Sequence, residues 1–313
     1  MRSAAWIGGR EFEIREGPEP EPGPGEVRVR VRACGVCQTE VHIMDGLLTQ
    51  INLPSMMGHE FGGEVEAIGA DVTSLEVGMP VACQFGAGGY ADQAVGPAER
   101  LFPLPDGVPV QHGALVEPMA CIVAAVEQAE LPMGATALLT GAGPMGLVVL
   151  QLASRSRAAR VIVSEPNADR RALALRLGAD QAVDPGEGHL EEVVAEATRG
   201  AGVAVAFESS GQPAALADCL RSVADGGSVM MVGVHPNEAR IPLNLYDFHR
   251  SRLRLLGIWG GGRDGFRAAA QWLPHLELEP LISHRFELAD IAEAFDVART
   301  GEGLKILVGT GLC

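Results

Sequence analysis

Between residues 34 and 42 the chain places Cys34, Cys37 and His42, with Thr39 and Glu40 among them, and Gly58-His59-Glu60 follows. Thiolate, imidazole and carboxylate are the groups that bind zinc, and a catalytic zinc takes three of them while keeping one position open. A Cys-x-x-Cys pair also serves redox chemistry, or half of a structural zinc site. A thioredoxin-type pair opens a helix after a strand in a small βαβ domain, and a four-cysteine site needs a second Cys-x-x-Cys, which this sequence lacks. The spacing supplies two zinc ligands, one thiolate and one imidazole, and leaves a third to be found.

A second stretch suits a different chemistry. An apolar run at 137–139 leads into GAGPMG at 141–146, and LVVLQLASRSRAA follows with the pattern of a helix packed on a sheet. In such a strand–turn–helix, Gly141 makes the tight turn, Gly143 lets backbone approach a pyrophosphate, and Gly146 allows helix and strand to pack closely; Pro144 and Met145 complete the turn. The free N–H groups of the helix start then face the phosphates. A glycine-rich turn also joins ordinary strands and helices, but VIVSE at 161–165 ends in Glu165 about 20 residues past the glycines, where a ribose-binding acid is expected. A carboxylate there accepts bonds from the adenosine ribose and repels a 2′-phosphate, which favours NAD over NADP. Arg170 and Arg171 soften that repulsion or form a solvated helix face.

These groups need elements to hold them. SAAWI and EFEIRE flank Gly8-Gly9 as a hairpin, and VRVRVR at 27–32 alternates apolar with charged residues as a half-exposed strand leading into the cysteines. His59 enters another strand, FGGEV, whose glycines permit close backbone approach. From residue 113 to about 258 strands and helices alternate, with strands expected at 137–140, 161–165, 181–184, 203–208, 228–233 and 253–258: a doubly wound α/β sheet of the Rossmann type. Ser209, Ser210 and Val232 end strands on the side where ligands bind and are candidate adenosine and nicotinamide contacts, or simply turn residues.

The chain has 313 residues, 47% hydrophobic and 20% charged, enough for about two domains with real cores. A formal charge of −16 argues against nucleic acid as a partner, because phosphate binding needs a basic face. The first residues show no secretory pattern and no run approaches a membrane span, so the expected location is the cytoplasm, with no membrane partner. Six cysteines in so long a chain do not resemble a disulfide framework.

CGVCQTEVH, GHEFGGEV, LVEPMA and GAGPMG, in this order and spacing, resemble the zinc-dependent medium-chain alcohol and polyol dehydrogenases, and the likeness runs to the closing ISHRFELADIAEAFDVARTGEGLKILV. The resemblance implies a mainly β, GroES-like catalytic domain at 1–117 and 259–313 around an NAD-binding Rossmann domain at 118–258. It makes Cys37 and His59 zinc ligands, with Glu60 beside the metal or on it, and Glu117 the third ligand, unless Glu117 only caps the helix that Pro118 begins. It gives Thr39 the substrate oxygen, His42 the outer end of a proton relay, and Gln38 and Lys305 the pyrophosphate; by itself Lys305 would be a surface lysine. Cys34 reads as a buried thiol. The family's lobe of four cysteines is missing between Cys83 and YADQAV, which implies one catalytic zinc per subunit and no structural zinc. The implied activity is hydride transfer between NAD(H) and a secondary alcohol or ketone, such as a polyol or sugar, in a homodimer or homotetramer. Two alternatives remain: a zinc-independent quinone or enone reductase of the same fold, and a non-enzymatic dinucleotide-binding regulator.

Overall fold

A computed structural model describes residues 1–48 and 51–312. The chain divides into two compact units, Met1–Ala120 with Gly262–Cys313 and Cys121–Gly261. No helix among the described residues is long and apolar enough to cross a membrane.

The first unit is mainly β. Its organising strand is Glu26–Gly35, which pairs antiparallel with Glu60–Ile68, Gln93–Pro97 and, at its end, Lys305–Gly309. The period-two pattern has the expected effect. Val27, Val29 and Val31 are buried with Phe61, Val81, Tyr90 and Phe295, while the arginines between them reach across to the neighbouring strand. Arg28 Nε donates to Glu66 Oε2 at 3.1 Å and Arg32 Nη2 to Glu64 Oε2 at 2.7 Å, opposite-charge pairs of the kind that fix register. The hairpin Arg2–Gly8 and Glu11–Glu16 joins a short strand, Ser55–Met56, in a separate sheet. Its turn uses Gly8 and Gly9 at φ 117° and 56°, a backbone region open to glycine at little cost.

The glycines after His59 permit an unusually close approach. A Cβ on Gly62 would stand 2.6 Å from the Cα of Gly113, and one on Gly63 would stand 2.0 Å from the Arg30 carbonyl oxygen. Gly113 lies in the 3-10 segment Val110–Leu115, which runs directly into the helix Val116–Gln128. The contact of two glycine backbones thus sets the start of that helix against the strand that begins at Glu60.

The second unit is a parallel six-stranded sheet built from Thr136–Thr140, Arg160–Ser164, Gln181–Val183, Val203–Glu208, Val223–Met231 and Arg254–Gly257. Numbered within the sheet, their spatial order is 3-2-1-4-5-6, the Rossmann arrangement of two mononucleotide-binding halves. The fifth strand begins earlier than the expected 228, because the chain leaves the helix Pro213–Ser222 already extended at Val223. Leu138, Ile162, Ala206 and Val229 fill the core between sheet and helices.

Gly62→Ala should lower the unfolding free energy by about 1–3 kcal/mol, the usual cost of overpacking a close contact. Gly17→Ala, where no atom lies within 4 Å of the new Cβ, should stay within about 0.5 kcal/mol of the parent. Urea denaturation of both variants measures the difference; equal stabilities would contradict the close packing at Gly62.

Candidate active site

Cys37 is the N-cap of the helix Gln38–Met44 and His59 directly precedes the strand Glu60–Ile68. Candidate ligand atoms of Cys37, His59 and Glu60 all lie within 4.8 Å of one another. One carboxylate organises them. Glu40, 3% exposed, accepts hydrogen bonds from Gly58 N–H at 2.7 Å and from the Tyr90 hydroxyl at 2.7 Å, and its Oε1 stands 3.2 Å from His59 Nδ1. Its second oxygen reaches back toward the Cys37 N–H at 3.5 Å, the long arm of a capping box. With Nδ1 held by a carboxylate, the other ring nitrogen of His59 is left for a metal, the usual way a ligating imidazole is oriented.

Glu60 is held from the opposite side. It lies 2% exposed and pairs with the ammonium of Lys305, which also donates to the Val36 carbonyl at 3.1 Å. This pair crosses the strand end at Gly35, the register partner of Glu60. A Cβ on Gly35 would fall 2.4 Å from Glu60 Oε2 and 2.5 Å from Lys305 Cε, so the ion pair occupies the space of the missing side chain. Lys305 is therefore not a surface lysine, and its ammonium is engaged by Glu60. Nothing in its local sequence, which reads as the start of a strand, signals that burial.

Glu117 lies one residue inside the helix Val116–Gln128, not at its N-cap, because the 3-10 segment before it continues into the helix without a break. Its carboxylate stands outside the Cys37–His59–Glu60 group but within its field. Burial, then the charge of Glu60, raise its pKa to about 7 against His59 and Lys305. Burial also pushes the Cys37 thiol up, and Glu60 adds to this. Burial opposes charge on His59, yet hydrogen bonds to Cys37 and Glu40 lift its pKa to about 12. Three carboxylates and a thiol thus surround one lysine and one histidine, and the set fits a divalent cation, which would favour the thiolate and the ionised acids.

Thr39 and His42 sit three residues apart on the helix Gln38–Met44 and share a face; Gln38 is exposed. His42 Nδ1 is buried with no partner among the described residues. Burial lowers the pKa of this ring, with Asp45 acting in the other direction. Cys34 is fully buried, and burial raises its pKa well above the ordinary thiol value.

In the second unit Gly141 adopts φ +89° and a Cβ there would meet Ser210 at 2.9 Å, while one on Gly146 would meet the Gly141 carbonyl oxygen at 2.1 Å. At Gly143 nothing lies within 4 Å, so the N-cap of the helix Pro144–Ser156 opens onto space that a phosphate can enter. Pro144 occupies the first helical turn, before Met145 and Gly146. Glu165 is 4% exposed and accepts from Ala142 N–H at 2.7 Å and Asn167 N–H at 2.9 Å. Arg171 donates to the carbonyls of Glu165 and Pro166, each at 2.7 Å, and to Asp184 at 3.0 Å. The Arg170 N–H donates to Asn167, the cap of its helix. Ser209 Oγ donates to the Gly141 carbonyl at 2.8 Å, Ser210 donates to Glu208, and Val232 N–H donates to the Glu208 carbonyl.

Glu40 and Tyr90 show no functional signature in the sequence itself. The capping-box spacing of Cys37 and Glu40 is a usable structural signal for the first; Tyr90 carries none.

Gly143→Ala should leave the unfolding midpoint unchanged and weaken dinucleotide binding at least about tenfold, one hydrogen bond's worth of lost approach. Calorimetric titration with NADH checks this, and undiminished affinity would remove the phosphate from this turn.

Two family models match: the alcohol dehydrogenase GroES-like domain over residues 23–106 and the zinc-binding dehydrogenase over residues 144–274. The chain is similar to an L-threonine 3-dehydrogenase from Pyrococcus horikoshii, 34% identical over 88% of each chain. It is similar also to a 2-dehydro-3-deoxy-L-galactonate 5-dehydrogenase from Pseudoalteromonas atlantica, 32% identical over 98% of each. Among solved structures it resembles a putative zinc-binding dehydrogenase from Sinorhizobium meliloti bound to NADP, with a TM-score of 0.90, 28% identity and 98% of each chain covered.

Proposed function

The chain belongs to the zinc-dependent medium-chain alcohol dehydrogenases, and from that premise we propose that it transfers hydride between a secondary alcohol, of the polyol, sugar or hydroxy-acid kind, and NAD, using one zinc per subunit. The observation that carries this is the half-buried cluster of Cys37, His59 and Glu60, with more acid around it than Lys305 and His59 offset. Cys37, His59 and Glu60 would hold the metal, and Glu117, whose charge interacts with Glu60 and His59, is the candidate to replace or assist Glu60. Zinc held there supplies a Lewis acid that lowers the pKa of an alcohol hydroxyl. Nicotinamide supplies the hydride acceptor.

The chain's own residues do the rest. Glu40 fixes the ring of His59, so the metal-facing nitrogen is presented without reorganisation. Thr39 accepts the substrate hydroxyl proton's hydrogen bond, and His42, on the same face of its helix, passes the proton outward. Burial favours the uncharged form of the His42 ring, and an uncharged imidazole can accept a proton. Lys305 offsets the charge of Glu60 and leaves that carboxylate two partners to choose between, the ammonium or a cation. Gln38, exposed at the start of the same helix, is assigned to the pyrophosphate.

NAD is the carrier in this reading although the Sinorhizobium meliloti protein holds NADP. Glu165 directly follows the second strand, Arg160–Ser164, as a carboxylate, which repels a 2′-phosphate, and Arg171 is engaged by Glu165, Pro166 and Asp184. The substrate class follows the relatives, whose names describe oxidation at a hydroxyl-bearing carbon of threonine and of a sugar acid.

Cys37→Ala should abolish NAD⁺-dependent oxidation over a panel of secondary alcohols and polyols and leave NADH binding within about twofold, since the glycine turn lies in the other unit. Turnover that survives the substitution and exhaustive chelation would replace this reading with that of a metal-independent reductase.

A further inference from the structure

One buried acid in the second unit serves no step above. Glu208 closes the strand Val203–Glu208 and is 0% exposed. Its Oε1 accepts from the N–H groups of Ser210 at 2.7 Å and Gly211 at 2.9 Å, and its Oε2 stands 3.0 Å from His235 Nε2. Its carbonyl accepts from Val232 and Gly233 N–H at 2.8 and 2.9 Å. One residue thus ties together the loops that leave two adjacent strands. The packing leaves no slack: a Cβ on Gly233 would lie 2.3 Å from the Gly211 nitrogen, and one on Gly211 would lie 2.6 Å from the Val234 carbonyl oxygen.

A fully buried carboxylate needs every lone pair answered. Backbone N–H groups and the Ser210 hydroxyl already answer Oε1, and His235 answers Oε2 by donating Nε2–H. With Nε2 donating to Glu208, Nδ1 is the ring's remaining nitrogen, and it makes no hydrogen bond to the described residues. His235 follows the carboxyl end of the fifth strand, Val223–Met231, and its ring meets the last residue of the fourth, Val203–Glu208, in the 3-2-1-4-5-6 order. In such a sheet the half with Glu165 receives the adenosine and the half with strands four and five receives the second nucleotide.

We propose that His235, held in one tautomer by Glu208, is a binding residue for the nicotinamide half of the dinucleotide, its Nδ1 accepting a hydrogen bond from the carboxamide N–H or a ribose hydroxyl of that half. The assignment rests on the dinucleotide reading above. Glu208 is the positioning residue: it acts through the ring and through the loops it pins.

The test uses the whole chain and three ligands: NADH, ADP-ribose and AMP. In H235F the ring shape stays and both nitrogens go; in H235Q a donor to Glu208 remains and the ring acceptor goes. Both variants should bind NADH about tenfold more weakly than the parent and bind AMP equally well. ADP-ribose separates the two donors, because it keeps the ribose and lacks the carboxamide. Undiminished NADH affinity in both variants would overturn the assignment, and so would a parallel loss for AMP, which a collapse of the loops produces. A parent protein that binds neither NADH nor AMP would overturn the dinucleotide reading itself.

Discussion

Placing several acidic side chains out of water around one small volume is the constraint on which this molecule turns. Glu40, Glu60, Glu117 and Cys37 lie close together, and an unanswered buried charge costs several kcal/mol. Each has its own compensation. Glu40 takes two strong donors and an imidazole, Glu60 takes Lys305, and Glu117 gives up part of its charge. What remains is a concentration of oxygen, sulfur and nitrogen lone pairs with too little positive charge, and that is the electrostatic description of a cation site. The surrounding scaffold follows from it. Gly35 is bare because the Glu60–Lys305 pair fills its side-chain space, and Gly62 is bare because the segment leading to Glu117 must come within van der Waals contact of the strand that carries Glu60.

The second unit repeats the device with different partners. Glu165 and Glu208 are each almost wholly buried at strand ends, and each is satisfied chiefly by backbone N–H groups of the turn beside it. Buried carboxylates there act as splints: they hold glycine-rich turns in one conformation, so that little is lost in ordering them when a phosphate or ribose arrives. Gly141 and Gly146 are glycines for packing, whereas Gly143 has empty space before it. Of the three, only Gly143 leaves open space beside its backbone for a ligand to approach.

Local pattern made much of this legible in the sequence. Period-two alternation identified the strand from Glu26 to Gly35, and apolar runs with glycine turns identified the six parallel strands, because burial on one face or both is written directly into residue order. The ends of elements were less legible: Val223 begins its strand early, and Glu117 lies inside its helix where a cap was expected. The partners of the site were least legible. Tyr90 reaches Glu40 from 50 residues away and Lys305 reaches Glu60 from 245, separations over which no local pattern can speak. The candidate ligands Cys37 and His59 stand out because two potent metal-binding groups lie close in the chain. The residues that neutralise and orient them do not, since tyrosine or lysine is an ordinary surface residue until a fold buries it.

The central claim is that the buried acidic group around Cys37 exists to hold one zinc ion. Anomalous X-ray scattering measured on either side of the zinc edge, from crystals of protein purified without chelator, tests it most directly. The account predicts one peak per chain, about 2.0–2.3 Å from Cys37 Sγ and a ring nitrogen of His59. No peak at that place, in protein that still oxidises an alcohol with NAD⁺, would contradict it.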